Sequence, residues 1–227
     1  MILRHGLRAF IAAAALHKAS ILVFARVPQP GRVKTRLIPA LGAAGAARLY
    51  CAMARHCIAT AANALPGAVQ LWCTPTCDDA FLAAAQSTWN LTLHLQGEGD
   101  IGARMAAAFQ SAFAKAELVL IAGTDVPAIT VADINAAVAA LREGHDAAFV
   151  PVADGGYGLI GLRRFDVRLF EGIAWSTSQV MAQTRARLGE LGWTWLELPA
   201  RWDVDEPADL DRLRADAALS HLLRDVA

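Results

Sequence analysis

The chain has 227 residues, with 21 Lys+Arg against 21 Asp+Glu and a hydrophobic share of 56%. That length is enough to bury one substantial core. The zero net charge argues against a nonspecific nucleic-acid binder, which carries a basic excess. No run of 18 apolar residues stands out, so no membrane span is expected.

Arg4, His5 and Arg8 precede a short apolar run, Phe10 to Leu16, that His17 and Lys18 interrupt. Residues 1–19 read as an N-terminal extension, helical or disordered, with a secretory signal as the alternative. Residues 20–227 read as one domain. Cysteines stand at 51, 57, 73 and 77. Their spacing is not C-x-x-C and no His-x-x-x-His follows, so they read as reduced thiols of a cytoplasmic protein rather than zinc ligands.

Ser20 to Val27 is an unbroken apolar strand. Leu41 to Leu65 carries helical spacing. Strands follow at Ala68–Cys73, Leu91–Leu95, Leu118–Ala122 and Ala147–Val150, with helices at Asp78–Gln86, Ile101–Ala114 and Val131–Leu141 between them. This alternation predicts an α/β fold, a three-layer α/β/α sandwich around a mostly parallel sheet. After Asp154-Gly-Gly-Tyr157 the pattern changes. A strand at Leu159–Leu162 leads to a helix over Ser176–Leu191, with Ser176 and Gln179 spaced as a capping box. A strand at Trp193–Leu198 and a terminal helix entered through Pro207 complete the chain.

Ligands of parallel α/β sheets bind beyond the carboxyl ends of the strands, and four polar clusters fall there. After the first strand come Arg26, Gly31, Arg32, Lys34 and Arg36, four cations beside a glycine and a helix start. That combination suits the phosphates of a nucleotide, the alternative being a solvated basic loop. It is not a Walker motif. After the most apolar strand stand Thr124 and Asp125. A lone carboxylate there can hold Mg²⁺ or Mn²⁺ while phosphate oxygens and water complete the shell. Thr130 is better placed than Asp125 to cap the next helix. The third cluster, Asp154-Gly155-Gly156-Tyr157, is a tight turn that can press N–H groups on a ligand. The fourth is Asp203-Val-Asp205, whose alternation puts both carboxylates on one side. Asp205 is the expected partner of Asp125 at the metal, or the cap of the last helix. Gly97-Glu-Gly-Asp-Ile-Gly102 matches the dinucleotide fingerprint, but it follows the third strand. Asp100 reads instead as a helix cap.

As an ordered set, FARVPQPGRVKTRL, GDIGARMAAAF, GTDVP, ADGGYGLIGL, the W-S-T of Trp175 to Thr177 and WDVDEPADL resemble the nucleotide-diphospho-sugar transferase superfamily, the GT-A fold. Within it they look like the DUF2064 family, also labelled rSAM/selenodomain-associated transferase 1. The likeness runs from about Ser20 to Leu213. More distantly, Lys34 to Leu37, Asp125 and Gly155-Gly156 look like 2-phospholactate guanylyltransferase. Asp203 to Pro207 is similar to the metal-site segment of CMP-sugar synthetases. The resemblance implies a transferase with Lys34 and Arg36 on phosphates and Asp125 and Asp205 on the metal. It departs from the usual D-x-D, here reduced to Thr124-Asp125.

Three functions follow as expectations. The first is glycosyl transfer from a nucleoside-diphosphate sugar to a small acceptor, with Lys34, Asp125 and Asp154 as catalytic residues and Asp154 as base. The second is nucleotidyl transfer from a nucleoside triphosphate with release of pyrophosphate. The third is a nucleotide-sugar-binding module without turnover. Arg26, Gly31, Lys34, Arg36 and Thr124 are expected at the nucleotide, and Gly155, Gly156, Tyr157 and Trp175 at the acceptor. Trp202 is a further aromatic candidate for the acceptor pocket.

Overall fold

A computed structural model describes residues 19–226. The extension expected at the N-terminus lies outside the described residues up to residue 18, and Ala19 already opens the first strand. Seven of the first strand's eight residues are buried. Ile21 and Val23 join the core on one face while Leu22 and Phe24 join it on the other. An apolar run with no alternation is what a strand covered on both faces requires.

The strands are β1 (Ala19–Arg26), β2 (Val69–Thr74), β3 (Thr92–Leu95), β4 (Leu118–Gly123), β5 (Ala147–Pro151), β6 (Tyr157–Leu162) and β7 (Trp195–Glu197). They form one sheet in the order β3-β2-β1-β4-β6-β5-β7. β6 runs antiparallel to both β4 and β5, and every other pairing is parallel. The short connection from β5 to β6 explains the exception: a turn of this length can return a strand only antiparallel.

The helices are α1 (Ile38–Ala64), α2 (Ala80–Trp89), α3 (Ile101–Ala112), α4 (Val131–Arg142), α5 (Val180–Glu190) and α6 (Pro207–Ala215). One core layer joins Tyr50, Ala54 and Ile58 of α1 with Leu82 of α2 and Ile134 and Val138 of α4. The opposite layer joins Met105 and Phe109 of α3 with Met181 and Leu188 of α5. The expected three layers are therefore present. α1 carries a break at Gly42 (φ 68°, ψ 164°), a conformation open to glycine. With the turn before it, residues Thr35–Ala64 are long and apolar enough to cross a membrane by length and composition. Here that helix is the central core helix, with Leu49, Tyr50, Met53 and Ile58 fully covered.

Two local expectations are corrected. Ser176 and Gln179 form no capping box. Ser176 adopts φ 62°, Gln179 makes no side-chain cap, and α5 starts only at Val180. Thr177 takes over locally, its hydroxyl donating to the Ala174 carbonyl at 2.7 Å. Asp205 does not cap the last helix, because Glu206 and Asp209 form the capping box one residue further on. The other caps match. Thr130 and Asp133 make a reciprocal box at α4, and Asp100 accepts from Ala103 N–H at 2.8 Å at α3.

A third apolar cluster positions the C-terminal segment. Val204, Leu210 and Leu213 pack on Leu37, Leu49 and Met53, so the last helix lies beside the start of α1. Trp202 belongs to this cluster, under the Arg212 guanidinium at 4.6 Å. It is core, not acceptor pocket.

Candidate nucleotide and acceptor site

Strand order reverses at β1, whose neighbours β2 and β4 lead the chain to opposite sides. A crevice opens at the carboxyl ends of strands where such a reversal occurs. Register puts Phe24 of β1 opposite Gly123 of β4, so the parallel strands point their carboxyl ends the same way, β1 running two residues further. The basic loop and Asp125 emerge side by side there.

Lys34 is the pivot. Its backbone is left-handed, φ 46° and ψ 46°, a strained state for a non-glycine residue. Its side chain is only 3% exposed, and its Nζ forms an ion pair with Asp125 Oδ1. Asp205 Oδ1 lies 3.9 Å from the same nitrogen. Arg36 Nη1 donates to Asp205 Oδ2 at 2.7 Å. Residues from the two ends of the chain thus converge on one ammonium. Val204 locks this arrangement: its side chain is fully buried and its N–H donates to the Asp125 carbonyl at 3.0 Å. With Val204 turned inward, Asp203 and Asp205 both face out into the site, as the alternation predicted.

Behind the ion pairs a buried polar link holds the two strand ends. Tyr50 Oη accepts from Arg26 N–H at 2.7 Å and shares a hydrogen bond with Thr124 Oγ1 at 3.0 Å. Burial drives the Tyr50 phenol well above its usual pKa, so it stays neutral and serves as a clamp. Thr124 is likewise only 2% exposed. It lines the cavity from below and steadies the loop that carries Asp125.

Two adjoining cavities meet at Asp125 and Asp205. The larger, about 800 Å³, takes in Arg26, Arg32, Lys34, Arg36 and Arg104, with Gln96 at its base. The smaller, about 530 Å³, takes in Asp154, Gly156, Tyr157, Trp175, Asp203 and the turn at residues 176–178. Trp175 and Tyr157 border both. Gly31 and Gly155 are not on either wall. Gly31 shapes the basic loop at φ 81°, and Gly155, at φ 92°, passes so close to Ser178 that a Cβ there would meet its carbonyl oxygen at 2.2 Å.

Sequence reasoning missed Arg104, Gln96 and the Ser176–Ser178 turn. Arg104 and Asp100 come from the segment that mimicked a dinucleotide fingerprint. Its position between a strand end and a helix start was the available signal. Asp203 had been seen as a carboxylate but given no role. It lines the smaller cavity, where burial, with the charges of Asp154 and Asp209, raises its pKa above the ordinary carboxyl value. Tyr157 offers its ring rather than its hydroxyl: the phenol is buried beside Thr184, and that burial raises its pKa.

Asp125 and Asp205 provide hard oxygen donors on either side of one cation. Among the described residues no group of three or more His, Cys, Asp or Glu forms a closed metal cage. Two carboxylates with the remaining positions left to phosphate and water fit Mg²⁺ or Mn²⁺, which keep such ligands.

The model of a family described as "uncharacterized protein conserved in bacteria" (DUF2064) matches residues 57–177, just over half of the chain. The chain belongs to the DUF2064 family. A candidate nucleotide-diphospho-sugar transferase from Desulfovibrio desulfuricans G20 is 30% identical, with 92% of the DUF2064 chain and 98% of that protein aligned and a TM-score of 0.79. More remote structures share the fold alone. CMP:2-keto-3-deoxy-manno-octonic acid synthetase complexed with CTP has a TM-score of 0.53 at 15% identity, covering 87% of this chain and 97% of that one. Glucosyl-3-phosphoglycerate synthase from Mycobacterium tuberculosis, complexed with Mg²⁺ and UDP, has a TM-score of 0.53 at 11% identity, covering 95% and 78%. No curated protein matches the DUF2064 chain. The GT-A-like architecture expected from the sequence is therefore the one observed.

Proposed function

We propose that this protein is a metal-dependent transferase that moves a sugar from a nucleoside-diphosphate sugar to a small acceptor. The observation that carries the reading is the convergence of Asp125 and Asp205 on Lys34 at the seam between a cationic and an acidic cavity. The donor lies in the larger cavity, its phosphates toward Lys34, Arg32 and Arg36. Asp125 and Asp205 would hold Mg²⁺ or Mn²⁺, which when bound supplies charge neutralisation for the departing diphosphate. The resident cations do the same work from the protein side, pre-aimed in a crevice with little reorganisation.

The acceptor lies in the smaller cavity. Its hydroxyl oxygen forms the new bond to the anomeric carbon as the bond from that carbon to the diphosphate oxygen breaks. The hydroxyl proton passes to a carboxylate, Asp154 in this reading, and the nucleoside diphosphate leaves. Asp154 is held ready by the Gly156 N–H, which donates to its Oδ1 at 2.9 Å.

A second reading, nucleotidyl transfer, is favoured by one feature: five basic side chains around about 800 Å³, a setting for a triphosphate. There the acceptor oxygen attacks the α-phosphorus and pyrophosphate leaves. The experiment is a thermal-shift screen of nucleoside triphosphates and diphosphate sugars with and without Mn²⁺, followed by mass spectrometry of the hits. Nucleoside diphosphate released from a sugar donor supports the first reading. Pyrophosphate from a triphosphate replaces it with the second. Binding without turnover across a broad acceptor panel leaves a binding module and rejects both.

A further inference from the structure

The two cavities differ in charge, and the difference bears on the acceptor. Arg36 is the only cation on the smaller cavity's wall among the described residues, against Asp125, Asp154, Asp203 and Asp205. Arg36 is already engaged: its Nη1 donates to Asp205 and lies 3.7 Å from Glu206 Oε1. A dication on Asp125 and Asp205 would offset those two carboxylates. It would leave Asp154 and Asp203 on the acceptor side with no cation of their own.

Several of the backbone donors near this cavity are already engaged. α5 begins at this cavity, and a free helix N-terminus attracts anions. Here the Met181 N–H donates to the Gly155 carbonyl at 2.9 Å and the Val180 N–H to the Thr177 carbonyl at 3.4 Å. The Gly156 N–H is spent on Asp154, and the Thr177 hydroxyl on Ala174. A phosphate or carboxylate entering this space meets the like charge of Asp154 and Asp203, and the Ser176 and Ser178 side chains on the same wall are neutral.

Apart from the turn at residues 176–178, the rest of the wall is largely apolar. Trp175 lies against Gly102 so tightly that a Cβ there would stand 2.2 Å from its Nε1. It also stacks with Phe170 at 6.5 Å between centroids. The indole is thus braced from two sides while bordering the cavity beside Met105 and Ile101. An aromatic side chain and a pair of carboxylates lining one cavity suit a ring with one apolar side and several hydroxyl donors.

We propose that the acceptor is a polyhydroxylated ring that carries no phosphate or carboxylate, seated on Trp175 with its hydroxyls donating to Asp154 and Asp203. This inference rests on the larger cavity being the nucleotide site. It applies to glycosyl transfer and to nucleotidyl transfer onto a hydroxyl, because in both a hydroxyl oxygen is the nucleophile and its proton passes to a carboxylate.

The test uses the full chain with Mn²⁺ and whichever nucleotide binds by calorimetry. Saturation-transfer NMR is run on myo-inositol, D-glucose and methyl glucoside against D-glucose 6-phosphate, D-glucuronate and 3-phosphoglycerate. The neutral probes are expected to bind about tenfold or more tightly than the anionic ones, as like charges at close range require. Their signal should vanish in Trp175→Ala, and the gap should narrow in Asp154→Asn. An anionic probe binding as well as its neutral counterpart overturns the proposal, and so does the absence of binding by every neutral probe. Failure of the nucleotide itself to bind rejects instead the reading on which the proposal rests, so the two failures are distinguishable.

Discussion

Replacing Lys34 with Met separates the fold from the function at this site. The side chain is 3% exposed, and its ammonium pairs with Asp125 and lies 3.9 Å from Asp205. At an effective dielectric near 20, a charge pair at about 4 Å is worth roughly 4 kcal/mol. Two terms shrink that figure. Both carboxylates are open to water, with side chains 59% and 39% exposed, so they are screened and lose little when the partner goes. Removing the buried ammonium also recovers its desolvation penalty, several kcal/mol before relaxation. The free protein should therefore stay within about 1 kcal/mol of wild type, a Tm shift of roughly 2–4 °C. Ligand binding should respond differently. A hydrogen bond from an ammonium to a phosphate contributes about 1.5–3 kcal/mol, or roughly a ten- to hundredfold loss of affinity. Calorimetry of the four common nucleoside diphosphates against their parent nucleosides reads this out. The diphosphate that binds wild type should weaken by that factor in Lys34→Met, while its nucleoside changes less than about twofold. Equal losses for both ligands, or no loss for either, would refute the phosphate role.

Further consequences reach other parts of the molecule. Gly102→Ala should force Trp175 off its seat, since the new Cβ lies 2.2 Å from Nε1. Overpacking of about 1–3 kcal/mol should lower Tm and change tryptophan emission, and an unchanged Tm and spectrum would show that the indole is not braced there. Asp146 is buried, which works against its charge, yet the Thr194 N–H and the Arg163 and Arg164 guanidinium groups outweigh burial and hold its pKa below the ordinary 3.8. A depressed folded-state pKa gives stability that is complete above the unfolded value and is lost as pH falls through the folded one. Asp146→Asn should thus be less stable than wild type by about 1 kcal/mol at pH 7 in urea titrations, since the Arg163 and Arg164 side chains it leaves behind are 45% and 51% exposed, and the gap should begin to shrink below pH 3.8 and close once pH has passed the depressed folded-state value; a gap that does not shrink as pH falls contradicts the ion-pair account. The Cys73 thiol is buried, with its pKa pushed up to about 12 by that burial and by Cys77. Alkylation of the folded protein at pH 8 should spare it, and rapid labelling of Cys73 would show that β2 opens at its carboxyl end.

Much of this arrangement was legible in the sequence because it rests on local rules. β1 and β4 declared themselves as unbroken apolar runs, and each ends at the polar residues that a parallel sheet presents to ligands. The Asp203-Val204-Asp205 alternation correctly put both carboxylates on one side, since Val204 had to turn inward. Other features depend on distant packing and left no such trace. Gln96 lines the larger cavity because β3 lies beside β2, and its amide is turned by the carbonyls of Ala25 and Trp72. Arg104 lines the crevice with its Nε donating to the Gly99 carbonyl at 3.0 Å. The capping-box spacing at Ser176 misled because its neighbour Thr177 bonds back to Ala174 and holds the chain in a turn until Val180. The antiparallel sense of β6 follows from the short turn before it, which the change of pattern after Asp154 marked without resolving.

The central claim is that Asp125 and Asp205 share a divalent metal with the phosphates of a nucleotide. Mn²⁺ binding followed by electron paramagnetic resonance, with and without the nucleotide found by calorimetry, tests it most directly. In wild type the nucleotide should tighten Mn²⁺ binding, and Asp125→Asn and Asp205→Asn should each abolish that coupling while leaving Tm within about 4 °C. Nucleotide-coupled Mn²⁺ binding that survives in both variants would contradict the account.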